Sequence, residues 1–179
     1  MKEVNYKDPL TWFALGFGSG LSPLAPGTVA SFIAGLLFYY LFFPFFEAQA
    51  LGSAFLIYLI FLLICFFFGL ETYKRTMRGE KDAKIFVWDE FVGMWIACFP
   101  LILFLPPWPW ILLCFVLFRI FDIWKPSLIG YFDRSEGALG VMMDDVMAGL
   151  FSAIVLVGIF YFLLSLFPNT SYENLFYFL

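Results

Sequence analysis

Apolar and polar positions in this chain fall into long separate blocks, with no sustained strand-like alternation. Residues 48–70 form an uncharged apolar run between Glu47 and Glu71, and 146–167 form another between Asp144-Asp145 and Pro168. Each is long enough to cross ~30 Å of hydrocarbon as a helix, which takes about 20 residues. Residues 29–43 are also apolar and follow the Gly/Pro-rich stretch "GFGSGLSPLAPGT", so they predict a first span. Residues 85–105 predict a helix with Asp89 and Glu90 in its second turn. "PPWP" at 106–109 breaks it, because proline lacks the amide proton and restricts its predecessor. Residues 110–125 then return as a shorter helix, with Trp108 and Trp110 at the interface. The expectation is an all-α, polytopic helical membrane bundle of about five spans, one domain over 1–179, with a Gly/Pro-rich N-terminal loop. The competing arrangement makes 85–125 a re-entrant hairpin and leaves three full crossings.

Basic residues orient this pattern. Lys74, Arg75, Arg78, Lys81 and Lys84 follow the second span, Arg119, Lys125 and Arg134 lie between the fourth and fifth, and Lys2 and Lys7 precede the first. The connections at Glu47 and "PPWP" carry no Lys or Arg. The positive-inside rule therefore places the N-terminus and the charged loops in the cytoplasm and the C-terminus outside.

Composition agrees with a membrane protein and narrows the chemistry. The chain is 63% hydrophobic and 13% charged, against about half and a quarter in soluble domains. Its net charge of -4 argues against a nucleic-acid partner, which needs clustered cations. The absence of histidine excludes a Ser-His-Asp triad, a histidine nucleophile and histidine metal ligands. Cys65, Cys98 and Cys114 lie inside apolar runs and read as packing residues. Cys114 and Arg119 are one residue too close for a cysteine-phosphatase loop, and an apolar helix disfavours a thiolate. The N-terminus, with Lys2, Glu3, Lys7 and Asp8 before any apolar run, does not read as a cleavable signal peptide.

On this topology three polar clusters meet at one membrane face: the 16–28 loop, Asp89-Glu90, and the region from Arg119 to Asp145. Each acid pair precedes an apolar helix, so each alone reads as helix capping. Two pairs on one side repel unless cations intervene. Oxygen-only ligands suit Mg²⁺, with Asp89, Glu90 and Asp145 as candidate ligands. Arg119, Asp122 and Lys125 are spaced i, i+3, i+6 along one helix face. They read either as an ion ladder or as phosphate contacts in which Asp122 orients a cation or joins the metal. Arg134 is a further phosphate contact, with a solvated surface arginine as the plain reading. Thr28 reads as the N-cap of the first span, and the free amides there, Gly27 included, suit a phosphate oxygen. The sum is phosphoryl chemistry on a lipid headgroup.

Four blocks, "GSGLSPLAPGTVAS", "WDEFVGMWIA", "FRIFDIWKPSLI" and "GALGVMMDDVMAGL", resemble in order the phosphatidylglycerophosphatase A family, from about residue 16 to 150. The resemblance implies a Mg²⁺-dependent enzyme of the bacterial inner membrane, facing the cytoplasm. It would hydrolyse phosphatidylglycerophosphate to phosphatidylglycerol and inorganic phosphate, with membrane lipid around it. It gives weight to Pro26, Gly27 and Thr28, to Asp89 and Glu90, to Arg119, Asp122 and Lys125, and to Asp144 and Asp145. Catalytic roles are expected at Asp122, Lys125 and Asp144, and substrate contacts at Gly27, Thr28, Arg119 and Arg134. A transporter, a non-catalytic lipid-binding protein and a phosphotransferase using CDP-activated alcohols are the alternatives. The charges cluster at one depth, two acid pairs exceed what binding alone needs, and the spaced aspartates of the last class are absent.

Overall fold

The computed structural model describes residues 5–47, 50–77, 85–103 and 108–167. Among these, every regular element is a helix. The order is α1 (Pro9–Ala14), a 3-10 turn (Gly16–Leu21), α2 (Pro26–Leu37), a π turn (Phe38–Phe42) and α3 (Phe43–Glu47). Then come α4 (Leu51–Thr76), α5 (Trp88–Cys98) with a 3-10 extension (Phe99–Leu103), α6 (Trp108–Trp124), α7 (Leu128–Asp133) and α8 (Ala138–Leu166).

Among the described residues, three helical segments are long and apolar enough to cross a membrane: Pro26–Phe45, Leu51–Thr76 and Ala138–Leu166. The α5 unit and α6 each run roughly 26 Å at standard rises, a few ångströms short of the hydrocarbon thickness. They form the broken helix pair predicted around "PPWP", of which Pro106 and Pro107 lie outside the described residues. The basic positions Lys2, Arg78, Lys81 and Lys84 and the C-terminal tail also lie outside them.

Helix α5 is the centre. Nine of its residues are buried, from Trp88 to Cys98. It crosses α8 at two glycines: a Cβ on Gly149 would strike the carbonyl of Gly93, and one on Gly93 would meet the carbonyl of Asp145 at 2.7 Å. Small residues allow this approach where no hydrophobic force drives helices together. Buried aromatic side chains tie the bundle through their polar ends. Trp95 Nε1 donates to the Ala34 carbonyl at 3.0 Å, Trp88 Nε1 to Cys65 at 3.0 Å, and Tyr58 Oη to Trp95 at 2.9 Å.

Several helix starts differ from those expected. Helix α5 begins at Trp88, so Asp89 and Glu90 occupy its first turn rather than a second. Helix α8 begins at Ala138, which puts Asp144 and Asp145 two turns inside a helix they were expected to precede. Thr28 is not an N-cap. Ala25, in left-handed backbone (φ 45°), holds that position with Pro26 following at the first helical residue, as proline's fixed φ favours. The glycine-rich turn is packing: a Cβ on Gly20 would strike the Ile85 carbonyl, and the Val87 amide bonds to Ala14 at 2.9 Å.

Candidate active site

The ends of α2, α5, α6 and α8, with α7, enclose a cleft of about 720 Å³. Every candidate site residue lines it: Gly27 and Thr28 from α2, Asp89 and Glu90 from α5, Arg119 and Asp122 from α6, Lys125, Arg134, and Asp144 and Asp145 from α8. Convergence follows from the crossings. The Gly93–Asp145 approach holds the acids of α5 beside those of α8. Gly27 lets α2 come so close to α5 that a Cβ there would overlap Glu90 Oε1.

Two charge networks result. In the first, Arg119 Nη1 pairs with Glu90 Oε2 at 2.6 Å and Asp122 Oδ2 at 3.0 Å. Ser31 Oγ donates to Glu90 Oε2 at 2.7 Å and accepts from Arg119 Nη1 at 3.2 Å. In the second, Lys125 Nζ donates to Asp144 Oδ2 at 2.9 Å and to Asp133. Lys125 has left the expected stripe. Helix α6 ends at Trp124, and a φ of 49° just before Pro126 swings Lys125 away from Asp122 and toward α7 and α8. Such a φ on a non-glycine residue costs on the order of 1 kcal/mol, and sites that hold it are often functional. Burial lowers the pKa of the Lys125 ammonium, but the hydrogen bond to Asp133 and the charge of Asp144 outweigh it and hold it above its ordinary value.

Asp144 and Asp145 are too deep in α8 to cap it, and both are buried. Asp89 Oδ1 accepts from the Glu90 amide at 2.9 Å, and Asp144 Oδ1 from the Asp145 amide at 3.1 Å. Each pair thus splits: its first acid bonds the backbone and its second points elsewhere. Glu90, Asp122 and Asp145 bring one oxygen each to within 4.8 Å of one another. Asp89 lines the same cleft outside that trio.

The donor set fits a hard divalent cation. All three candidate ligand atoms are carboxylate oxygens within 4.8 Å of one another, the donor type that Mg²⁺ takes. Seven carboxylates line the cleft against three cations, and this excess calls for further positive charge. Gly27 and Thr28 present amides ahead of the first helical bond, from Val29 to the Ala25 carbonyl.

Two contributors escaped the sequence reading. Ser31 ends the first quoted block but looks like an ordinary small helix residue. Asp133 lies in a stretch expected to be a loop. Its signal was its place beside Arg134 in "YFDRSEG", opposite the cations.

Residues 12–160 match the family model for Phosphatidylglycerophosphatase A. The chain belongs to that family. It is 39% identical over 166 residues to Phosphatidylglycerophosphatase A of Escherichia coli K12, spanning 90% of this chain and 87% of the relative. It is 40% identical over 169 residues to the protein of the same name in Haemophilus influenzae Rd, spanning 92% and 96%. A Bacteroides thetaiotaomicron protein, provisionally named a phosphatidylinositol-3-phosphatase, is 38% identical over 147 residues, spanning 79% and 87%. No solved structure matches the chain.

Proposed function

We propose that this cleft hydrolyses the terminal phosphate monoester of phosphatidylglycerophosphate at the cytoplasmic face of the bacterial inner membrane, with Mg²⁺ held by Glu90, Asp122 and Asp145. The observation that carries this reading is the gathering of this chain's acids in one cleft, where three carboxylate oxygens converge beside two paired cations. Bound Mg²⁺ supplies neutralisation of the acids and polarisation of the phosphoryl oxygens.

The chain's own groups do the rest. The Gly27 and Thr28 amides and Arg134, which makes no ion pair among the described residues, receive the phosphate oxygens. Lys125, held by Asp133 and Asp144, adds fixed positive charge where charge develops in the transition state. Arg119 steadies Glu90 and Asp122. Asp89 keeps Oδ2 without a partner among the described residues, so it can orient water and accept its proton. Water oxygen bonds to phosphorus as its proton passes to Asp89, the bond from phosphorus to the glycerol oxygen breaks, and that oxygen takes up one proton in balance, giving the alcohol of phosphatidylglycerol and inorganic phosphate.

The Bacteroides relative's name places a lipid phosphomonoester on a different headgroup, so the headgroup is the point to test. Phosphate release by purified protein is measured on phosphatidylglycerophosphate, phosphatidylinositol 3-phosphate and phosphatidic acid in mixed micelles. The expected result is preference for the first. Faster release from either of the others overturns the substrate assignment, and release from none overturns the hydrolase reading.

A further inference from the structure

A second concavity runs along the outer seam between α2 and α6. It has a volume of about 260 Å³ and an almost wholly apolar lining, including Phe32 and Leu36 from α2, Tyr40 from the π turn that continues it, and Trp108, Leu112 and Phe115 from α6. These six positions continue the stripes that form the cleft. Along α2 and the π turn that continues it, Thr28, Phe32, Leu36 and Tyr40 step by four. On α6 the steps Trp108, Leu112, Phe115, Arg119, Asp122 are of four or three. Such steps keep residues on one helix face. The Phe32 and Phe115 rings meet edge-on, 5.8 Å between centroids, at the groove end nearest the cleft. The cleft and groove are therefore the polar and apolar ends of one seam.

We propose that this groove seats an acyl chain of the same phospholipid whose phosphate occupies the cleft, an inference that rests on the lipid-phosphatase reading above. Depth supports it. At 1.5 Å per residue the groove begins about 6 Å beyond Thr28 and ends about 18 Å beyond it. One leaflet is about 15 Å deep. A lipid with its headgroup at the α2 start thus has chain length alongside the groove and no farther. The far end is marked by Tyr40 and Trp108, both largely exposed. The outer face of α4 is equally apolar, with Leu56, Ile60 and Ile64 exposed, but among the described residues α4 reaches the cleft only through the buried Tyr73.

The seat adds orientation rather than affinity. An acyl chain is as well solvated by bilayer as by phenylalanine, so entering the groove gains little hydrophobic energy. It fixes the depth and rotation of the headgroup, and misplacement of a reacting group by an ångström costs up to about a hundredfold in rate.

Two measurements test this on the full chain. The first uses phosphatidylglycerophosphate with a photoreactive diazirine in its acyl chain and maps the labelled residues. Label concentrated on the α2 and α6 groove residues over the exposed α4 residues is expected. Equal label on both faces marks annular lipid only and overturns the proposal. The second compares kcat/KM on long-chain and short-chain forms of the lipid. Leu112→Trp should lower the long-chain value roughly tenfold relative to the short-chain value, and Leu56→Trp on α4 should leave the ratio unchanged. An unchanged ratio in Leu112→Trp overturns the proposal. The two readings fail separately: groove label without turnover overturns hydrolysis alone, and turnover with scattered label overturns the groove alone.

Discussion

Gly27 and Glu90 stand so close that the glycine has no room for a side chain. Gly27→Ala should push Glu90 off Ser31 and Arg119 and cut turnover on the order of 10²-fold, the typical cost of losing one preorganised electrostatic contact. The fold should survive, since overpacking a site costs about 1–3 kcal/mol. Phosphate release and thermal unfolding of the variant, measured in parallel, check this, and normal turnover would contradict it. Lys125→Ala leaves Asp133 and Asp144 unpaired beside five other acids, so it should lose about 10²–10³ in rate. Lys125→Arg should recover only part, because a planar fork does not replace a compact point charge. The raised Lys125 pKa gives this a sign with pH. The stability Lys125 adds is full below its unfolded value of ~10.4 and is lost only as pH rises through the higher folded value. A pH profile of turnover in wild type and Lys125→Arg should therefore show no alkaline limb from Lys125 near neutrality. The acids were legible in the sequence because carboxylates are rare in apolar blocks and stand out singly. Ser31 and Asp133 were not, because a serine in a small-residue helix and an acid in a polar stretch look ordinary until a partner from another helix arrives.

At the scale of elements, the apolar blocks located the membrane helices, but their starts moved. Hydropathy treats a charge as the end of a helix. Here Asp144 and Asp145 remain helical because they face a polar cleft, where their charges meet Lys125 and other polar groups rather than lipid. The Arg119–Lys125 stripe failed at its last member for a backbone reason: Pro126 disfavours helical geometry in the residue before it, and Lys125 turns left-handed. The crossing of α5 and α8 also escaped the reading, since Gly93 and Gly149 lie 56 residues apart in sequence. That crossing is testable. Gly149→Leu should force the two backbones apart, lower thermal stability by about 1–3 kcal/mol and move Asp145 with its carbonyl. Unfolding in detergent reads the first effect. Turnover per folded molecule reads the second and should fall below wild type, whereas unchanged turnover would detach the crossing from the site.

At the scale of the whole molecule, the polar cleft lies at one end of a bundle in which, among the described residues, three helical segments are long and apolar enough to cross a membrane. Lys74, Arg75, Lys125 and Arg134 lie at the cleft end, and the Leu51 end carries no Lys or Arg. A cysteine at Ser135 should therefore label from the cytoplasm and one at Ser53 from the opposite side. Labelling of both from one side would contradict this orientation. The central claim is that Glu90, Asp122 and Asp145 act as one cation-binding set in lipid-phosphate hydrolysis. Its most direct test is a Mg²⁺ titration of phosphate release from phosphatidylglycerophosphate by wild type and Asp145→Asn. The account predicts that wild type is silent in chelator and is restored by Mg²⁺. It predicts that Asp145→Asn needs far more Mg²⁺ and stays at least about 10²-fold slower at saturation. Full wild-type turnover in chelator, or an unchanged Mg²⁺ requirement in Asp145→Asn, would contradict it.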